Sequence, residues 1–543
     1  MMTLSDLIAE TLYHWGVRRV FGIPSGEVAA LVDALAAHDI EFVLTKHETP
    51  AAFMADAQYR LTGVPGVVVA ALGAGVSNTV TGAAQAFFDR SPVLFLSGAV
   101  GEGVGPLFPR QIFPHSEVYR SFVKWTGRVT PDNAASVLRH VGHTLLQPLP
   151  GPVHLDIPVD LAGRTVAETA PPPLVAPTAH GPSEGEVADV AARIRSAERP
   201  VALIGLEAVP PGAAPELGER FVAAWHIPTF TTYKAKGIIP ETSDWAVGPV
   251  GLSPVFDRIA ADYVRSADLV LKVGLDPIEL APSWLDLWDA ERTLEVSRVP
   301  GRHAAYGAGH EILADPGTFL AALSDARSAE ALDIPQRSQL VAEIRSRQAA
   351  VIEQAAQEVI GSVSPVQSLR VLREMLPADA LVAMDTGAFR ILATHLLPAR
   401  HPDQILQSSG LGSMAYGLPA GISAKLARPE RPVVVLTGDG GLLMCLGELA
   451  VVGERGLPLV VVVFVDESLA LIELKQERMR LRTEGVRFRA PDFAAMAASF
   501  GGTGVDVRTP ADFGRAIRDA LSDNQRFHLI ALHINPREYW ETM

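Results

Sequence analysis

One cysteine, Cys445, stands in a chain of 543 residues, so neither an intrachain disulfide nor a metal site built on several thiolates can form. That scarcity fits a reducing compartment. Long apolar runs are missing as well: the longest, Leu459 to Val465, is far too short to cross a bilayer as a helix. The N-terminal MMTLSDLIAETLYHWGVRRVFG mixes charge into apolar positions at helical spacing, unlike a secretory leader. These features imply a cytoplasmic location and no membrane partner. Basic blocks are also absent. With a formal net charge of -15 and no run of Lys/Arg long enough to form a stripe, most of the surface would repel a nucleic-acid backbone. A small anionic substrate remains compatible, because a pocket can carry charge opposite to the whole. What the sequence does contain is apolar residues at 48%, charged residues at 20%, and ample Gly and Pro, which excludes disorder and points to compact globular domains.

The length favours about three domains. Up to residue 165, short apolar runs (Val67–Leu72, Val93–Gly98, Val153–Ile157) alternate with amphipathic stretches such as Ser5–Trp15 and Glu27–His38, the rhythm of a parallel sheet covered by helices. The stretch Ala167–Pro182 contains Pro171-Pro172-Pro173 and reads as a linker. The rhythm returns over 184–330, with strands at Pro200-Val-Ala-Leu-Ile-Gly and Asp268-Leu-Val-Leu-Lys-Val-Gly. A second linker, helical around Gln336–Val359, leads to a helix start at Ser364-Pro365 and a third segment, 362–543. Its strands are expected at Leu381–Met384, Val433–Thr437, Leu459–Val465 and His528–Ile534. The expected fold class is therefore α/β, with three doubly wound parallel-sheet domains.

The most specific motif is Gly438-Asp439-Gly440-Gly441, between a strand and a helix-like stretch. Such a turn offers backbone N–H groups and a carboxylate at a helix start, where a diphosphate and a divalent ion can sit. Alone it is an ordinary βα turn. A second strand ends in Asp466, 27 residues later. Together the two resemble the metal motif of thiamine-diphosphate-dependent enzymes. The resemblance implies Mg2+ held by Asp439, Asp466 and the Ser468 carbonyl, with Leu469 beside the cofactor. Here Val465-Asp466 replaces the family's asparagine pair, which keeps an oxygen ligand and adds charge.

The same family resemblance covers Ser409-Gly-Leu-Gly412-Ser413-Met414-Ala-Tyr-Gly-Leu-Pro419, in which Met414 would wedge the cofactor into a V shape. In Asp385-Thr-Gly387-Ala388-Phe389, it implies a diphosphate-binding turn, with Phe389 where relatives often carry histidine. Phe42-Val-Leu-Thr-Lys-His47-Glu48 resembles the junction that carries the family's activating acid. Glu48 would hydrogen-bond the pyrimidine N1′ and share a proton with it, favouring the imino tautomer that deprotonates C2. Without the rest of the pattern, Glu48 would read as a helix-start glutamate favoured by the dipole. The turns Phe21-Gly-Ile-Pro24-Ser-Gly26 and Gly73-Ala-Gly-Val-Ser-Asn78 would line the pyrimidine. Relatives complete the site from two chains, so a homodimer or homotetramer is implied.

Within that superfamily, the whole chain most resembles acetolactate synthase-like enzymes, which decarboxylate a 2-oxo acid such as pyruvate and join the remaining fragment to an acceptor. Gln111 falls at their active-site glutamine, although Arg110 precedes it and a polar surface loop is the alternative; His115 is a second polar candidate. Ile472 stands where aldehyde-releasing decarboxylases carry a glutamate. Lys475 falls where biosynthetic acetolactate synthases carry a tryptophan lining the entrance, where it could attract a carboxylate, or else is a solvated helix residue. In the central segment, the turn Gly205-Leu-Glu207 is bulky and acidic, Gly274-Leu-Asp276-Pro-Ile-Glu279 resembles the flavin-free catabolic type, and carboxylates there would repel a flavin diphosphate, which speaks against FAD. Two other functions stay open: another thiamine-diphosphate decarboxylase or C–C lyase/ligase, and a non-catalytic binding protein that keeps the fold.

Overall fold

The computed structural model describes residues 2–101, 107, 109–167, 170–211, 216–301, 307–327, 332–356 and 363–542. It contains three six-stranded sheets, and every strand pair in them is parallel. The first comprises β1 (Arg19–Gly22), β2 (Glu41–Leu44), β3 (Gly66–Ala70), β4 (Val93–Ala99), β5 (Trp125–Arg128) and β6 (Val153–Pro158), in the order β2-β1-β3-β4-β6-β5. The second comprises β7 (Pro200–Ile204), β8 (Thr229–Thr232), β9 (Ala246–Val250), β10 (Leu269–Val273), β11 (Thr293–Ser297) and β12 (His310–Leu313), in the order β12-β11-β10-β7-β8-β9. The third comprises β13 (Leu381–Met384), β14 (Ile405–Gln407), β15 (Val433–Gly438), β16 (Val460–Val465), β17 (Thr503–Val507) and β18 (His528–His533), in the order β14-β13-β15-β16-β18-β17. The first and third sheets thus share one topology, a likeness no sequence repeat announces.

Two compact units contain these sheets. One holds residues 1–177 with 408–430 and 442–458; the other holds 178–407 with 431–441 and 459–543. In the first unit, Leu94, Leu96, Val153, Leu155, Val67 and Val69 form one sheet face against Leu4, Leu7, Leu12 and Leu138. The first helix, Leu4–His14, starts at a capping box in which Thr3 and Asp6 satisfy each other's backbone N–H groups. In the second unit, β16 is Val-Val-Val-Val-Phe-Val with every residue buried, as expected for a central parallel strand covered on both faces. Ser364 caps the helix Pro365–Met375 by accepting from Gln367 N–H, as its Ser-Pro start implies.

In both the first and third sheets, chain order reverses about the first strand: β1 lies between β2 and β3, and β13 between β14 and β15. Crevices at the C-terminal ends of such strands are where open α/β sheets bind ligands. The β1/β3 contact is close. Gly22 has φ +156°, and a Cβ there would stand 1.9 Å from the Val69 carbonyl oxygen. Gly22→Ala should destabilise the protein by about 2–3 kcal/mol. Gly163→Ala, where a Cβ meets nothing within 4 Å, should stay within about 0.5 kcal/mol. Parallel urea titrations compare the two, and equal midpoints would show that the β1/β3 approach is not tight.

Candidate active site

In the second unit, the crevice between β13 and β15 collects the turn Asp385–Gly387 and the turn Gly438–Gly441. Asp385 is fully buried; Oδ1 accepts from Thr386 N–H at 2.7 Å and Oδ2 from the Thr437 hydroxyl at 2.9 Å. A Cβ on Gly441 would lie 2.5 Å from Asp385 Oδ2, so glycine is required there. The helix Ala388–Leu396 begins at Gly387 without a side-chain cap, leaving first-turn N–H groups for a ligand. Phe389 turns its ring into the core, stacked on Phe464 with centroids 4.8 Å apart. What it offers a phosphate is its backbone.

Asp439 and Asp466 end the adjacent strands β15 and β16. Asp439 Oδ1 accepts from Gly440 N–H at 2.8 Å, while Oδ2 accepts from Asp466 N–H at 3.2 Å and Glu467 N–H at 2.8 Å. Asp466 Oδ1 accepts from Ser468 N–H at 3.1 Å. The Ser468 hydroxyl in turn donates to Glu473, which pairs with Arg487. Burial, and then the neighbouring Asp439, push the Asp466 carboxyl up to about 8; burial also raises that of Asp439. Two carboxylates converging in a dry crevice suit a hard divalent cation, and the donor set fits Mg2+. Leu469 caps the helix Ala470–Arg478, and its own N–H bonds the Val486 carbonyl. Ile472 is 43% exposed on that helix, and Lys475 is exposed too.

In the first unit, Glu48 is the first residue of the helix Glu48–Thr62, directly beyond the end of β2, and is 6% exposed. Asn78 Nδ2 donates to Glu48 Oε2 at 3.0 Å, so Asn78 touches the acid itself. Gly73 caps the neighbouring helix Ala74–Phe88 at φ +72°, and a Cβ there would meet Gln111 Cβ at 2.9 Å. The structure therefore brings Glu48, Asn78, Gly73 and Gln111 into one neighbourhood. Gln111 is exposed and adopts φ +61°, uncommon for a residue with a side chain and a frequent mark of functional positions. Pro24 and Gly26 lie exposed beyond β1. Met414 and Ser413 are half-buried, beside Ala415 at φ +69°.

His115 is instead buried, with Nδ1 bonded to Asp156 Oδ1 at 2.7 Å. His115, His154 and Asp156 are the group of metal-ligating side chains that draws together among the described residues, within 4.8 Å. His154 already meets Thr126 through Nδ1 and Ser97 through Nε2, and burial lowers its pKa to about 4. The Asp156 carboxylate and the Thr126 and Ser97 hydroxyls thus already engage the two rings.

In the central sheet, Glu279 is 1% exposed, and Oε2 accepts from Leu206 N–H at 2.9 Å and Asp276 N–H at 3.0 Å. Its side chain thus reaches back to the turn after β7. Sequence reading included Asp385 in the diphosphate-binding turn and Glu279 in the acidic strand end, without their bonds to Thr437 and Leu206, and it missed Glu448, whose partners Lys46 and His47 lie far along the chain.

Three family models match the chain: the N-terminal TPP binding domain of thiamine pyrophosphate enzymes over residues 2–105, the central domain over 187–323, and the C-terminal TPP binding domain over 385–532. The chain belongs to the thiamine pyrophosphate-dependent enzymes, on the acetolactate synthase-like branch. It is 27% identical to a catabolic acetolactate synthase of Raoultella terrigena, covering 95% of this chain and 92% of that protein. It is 31% identical to a probable 2-ketoarginine decarboxylase of Pseudomonas aeruginosa (95% and 91%) and 27% identical to the large subunit of acetolactate synthase isozyme 3 of Escherichia coli (98% and 95%).

A folded carboxyl held near 8 against an ordinary value of 3.8 means that, without metal, the native state binds more protons than the unfolded chain between those values. Stability of the metal-free protein should therefore fall as pH rises through that window, and Asp466→Asn should flatten the profile. At pH 7, Mg2+ binding with cofactor should release close to one proton per site. Calorimetry in buffers of different ionisation enthalpy measures this, and zero release would show that the Asp466 carboxyl is already ionised in the metal-free protein.

Proposed function

We propose that this enzyme uses thiamine diphosphate and Mg2+ to decarboxylate a 2-oxo acid, with pyruvate the leading donor, and to join the remaining fragment to an acceptor, as acetolactate synthases do. The observation that carries this reading is that one chain holds both the buried acid Glu48, oriented by Asn78, and the interlocked pair Asp439 and Asp466. The division of labour follows segments 1–165, 184–330 and 362–543, for pyrimidine, central and diphosphate roles. When bound, the cofactor would supply an acidic carbon at C2 and an electron sink for decarboxylation. Glu48 holds the proton shared with N1′. Asp439, Asp466 and the Ser468 carbonyl hold Mg2+, and the N–H groups at Gly387, Ala388 and Phe389 meet phosphate oxygens. In the second unit Gly438, Gly440 and Gly441 serve the diphosphate; in the first, Gly412, Ser413 and Met414 serve the cofactor's rings, with Pro24, Gly26 and Gly73 at the pyrimidine.

Gln111 orients the acceptor. Ile472 offers no proton, which favours ligation over release of an aldehyde, and Lys475 draws a carboxylate inward. The 31% identity to a protein called a 2-ketoarginine decarboxylase supports a second reading, decarboxylation of a larger 2-oxo acid to its aldehyde. Incubating the protein with cofactor, Mg2+ and a panel of 2-oxo acids separates the two by product. An acetolactate-type product supports ligation; an aldehyde alone overturns it.

Flavin is disfavoured because Glu279 already takes the Leu206 N–H of the turn a flavin diphosphate would need, and Glu207 adds charge. Pure protein should be colourless, and a stoichiometric flavin absorbance would refute this. Ile472, Met479 and Leu481 are 43%, 69% and 56% exposed, apolar surface that supports a homodimer or homotetramer with active sites at subunit interfaces. No described helix is long and apolar enough to cross a membrane, and the cytoplasm is the proposed location.

Glu48→Gln should leave the fold and cofactor affinity largely intact while slowing deuterium exchange at cofactor C2 by on the order of a hundredfold, because an amide cannot share the N1′ proton. Gln111→Ala should change product ratios while C2 exchange persists. Fast exchange in Glu48→Gln would place the activating acid elsewhere.

A further inference from the structure

Glu48 stands at a mechanically weak point. β2 is an edge strand that pairs with β1 alone, and its register ends at Gly22↔Leu44. Beyond it, Thr45 N–H still reaches the Gly22 carbonyl at 3.1 Å, but Lys46 and His47 have left the sheet. Their N–H groups are the last two before the acid. Both donate to one oxygen, Glu448 Oε1, at 2.9 and 3.1 Å, across some 400 residues of chain within the same compact unit.

We propose that Glu448 is a positioning residue for catalysis: its carboxylate clamps the Lys46–His47 turn and thereby sets where the Glu48 carboxyl points. This rests on the reading of Glu48 as the activating acid. The surrounding contacts support a purpose-built grip. Gly447 carries no side chain, and a Cβ there would come within 3.3 Å of Lys46 Cβ. Lys46 Nζ donates to both Glu454 oxygens, at 3.0 and 2.8 Å, and Arg455 pairs with Glu41 at the start of β2. The segment 446–455 therefore borders the outer edge of β2 from end to end.

Glu448 is 1% exposed, and its Oε2 is buried without a hydrogen-bond partner. Burial pushes its carboxyl up to about 7. A carboxylate kept dry with one oxygen unsatisfied is costly for stability alone, since an apolar residue would fill the space more cheaply. What the second oxygen forgoes, the first returns as geometry. Asn78 and Glu448 hold the acid from two sides: Asn78 fixes its carboxyl, and Glu448 fixes the backbone that carries it. Misplacement of a catalytic group by about 1 Å can cost on the order of a hundredfold in rate.

The test compares Glu448→Met, which fills the volume without an acceptor, with Glu448→Gln, which keeps a carbonyl oxygen. In cofactor-free protein, amide exchange of the peptide spanning Lys46 and His47 should quicken at least tenfold in Glu448→Met and return towards wild type in Glu448→Gln. With saturating thiamine diphosphate and Mg2+, C2 deuterium exchange should fall about tenfold or more in Glu448→Met, with cofactor affinity and melting temperature little changed, and recover in Glu448→Gln. Wild-type C2 exchange in Glu448→Met overturns the proposal, as does a Glu448→Gln variant as slow as Glu448→Met. Glu48→Gln run alongside separates the failures: if it too exchanges at the wild-type rate, the assignment of Glu48 is at fault; if it alone is slow, only the role of Glu448 falls.

Discussion

Two carboxyl groups meet at Asp439 and Asp466, where burial and the neighbouring Asp439 push the Asp466 carboxyl up to about 8, so without metal the fold does not hold two bare negative charges side by side at neutral pH. β15 and β16 are neighbouring parallel strands, so their C-terminal ends emerge side by side. Asp439 accepts three backbone N–H bonds, two of them from the start of the following strand's own turn. Asp439 is thus held by the backbone itself. The glycine at 441 and the buried Asp385 follow from the same demand for close approach.

The outlines of this architecture were legible because parallel strands buried on both faces write themselves as unbroken apolar runs. Leu381–Met384 and the run ending at Val465 fall within a residue of their expected bounds, and the helix from Pro365 starts where Ser364 announces it. Short strands at sheet edges escaped notice. Trp125–Arg128 and Ile405–Gln407 are three or four residues long and polar or mixed, and only their neighbours make them strands. The helix Ile334–Ala355 matches the expected second linker helix; the part of that stretch beyond residue 356 lies outside the described residues.

Site residues divided along similar lines. Glu48, Asp439 and Asp466 sit at strand ends inside recognisable strings, so spacing could find them. Glu279 closes a local capping box with Asp276, but its reach to Leu206, like that of Glu448 to Lys46 and His47, spans turns remote in sequence and nothing local marks it. His115 read as a second polar candidate beside Gln111 because its partners, Asp156 and the ring of His154, come from a strand some forty residues on. Burial and partnership over long separations are the information a single sequence withholds.

The first compact unit is discontinuous, since residues 1–177 are completed by 408–430 and 442–458. A chain made from its N-terminus at about 5–20 residues per second must therefore wait, roughly 15–55 s, before the last pieces of that unit exist. During that interval β2 has an open edge and the helix Glu48–Thr62 lacks the helix Gly417–Ala427, to which Ser423 ties it through the Met54 carbonyl. An unpaired edge on a nascent chain is an invitation to wrong pairing. The newborn N-terminal segment therefore carries an uncovered β2 edge until the chain has grown past residue 458.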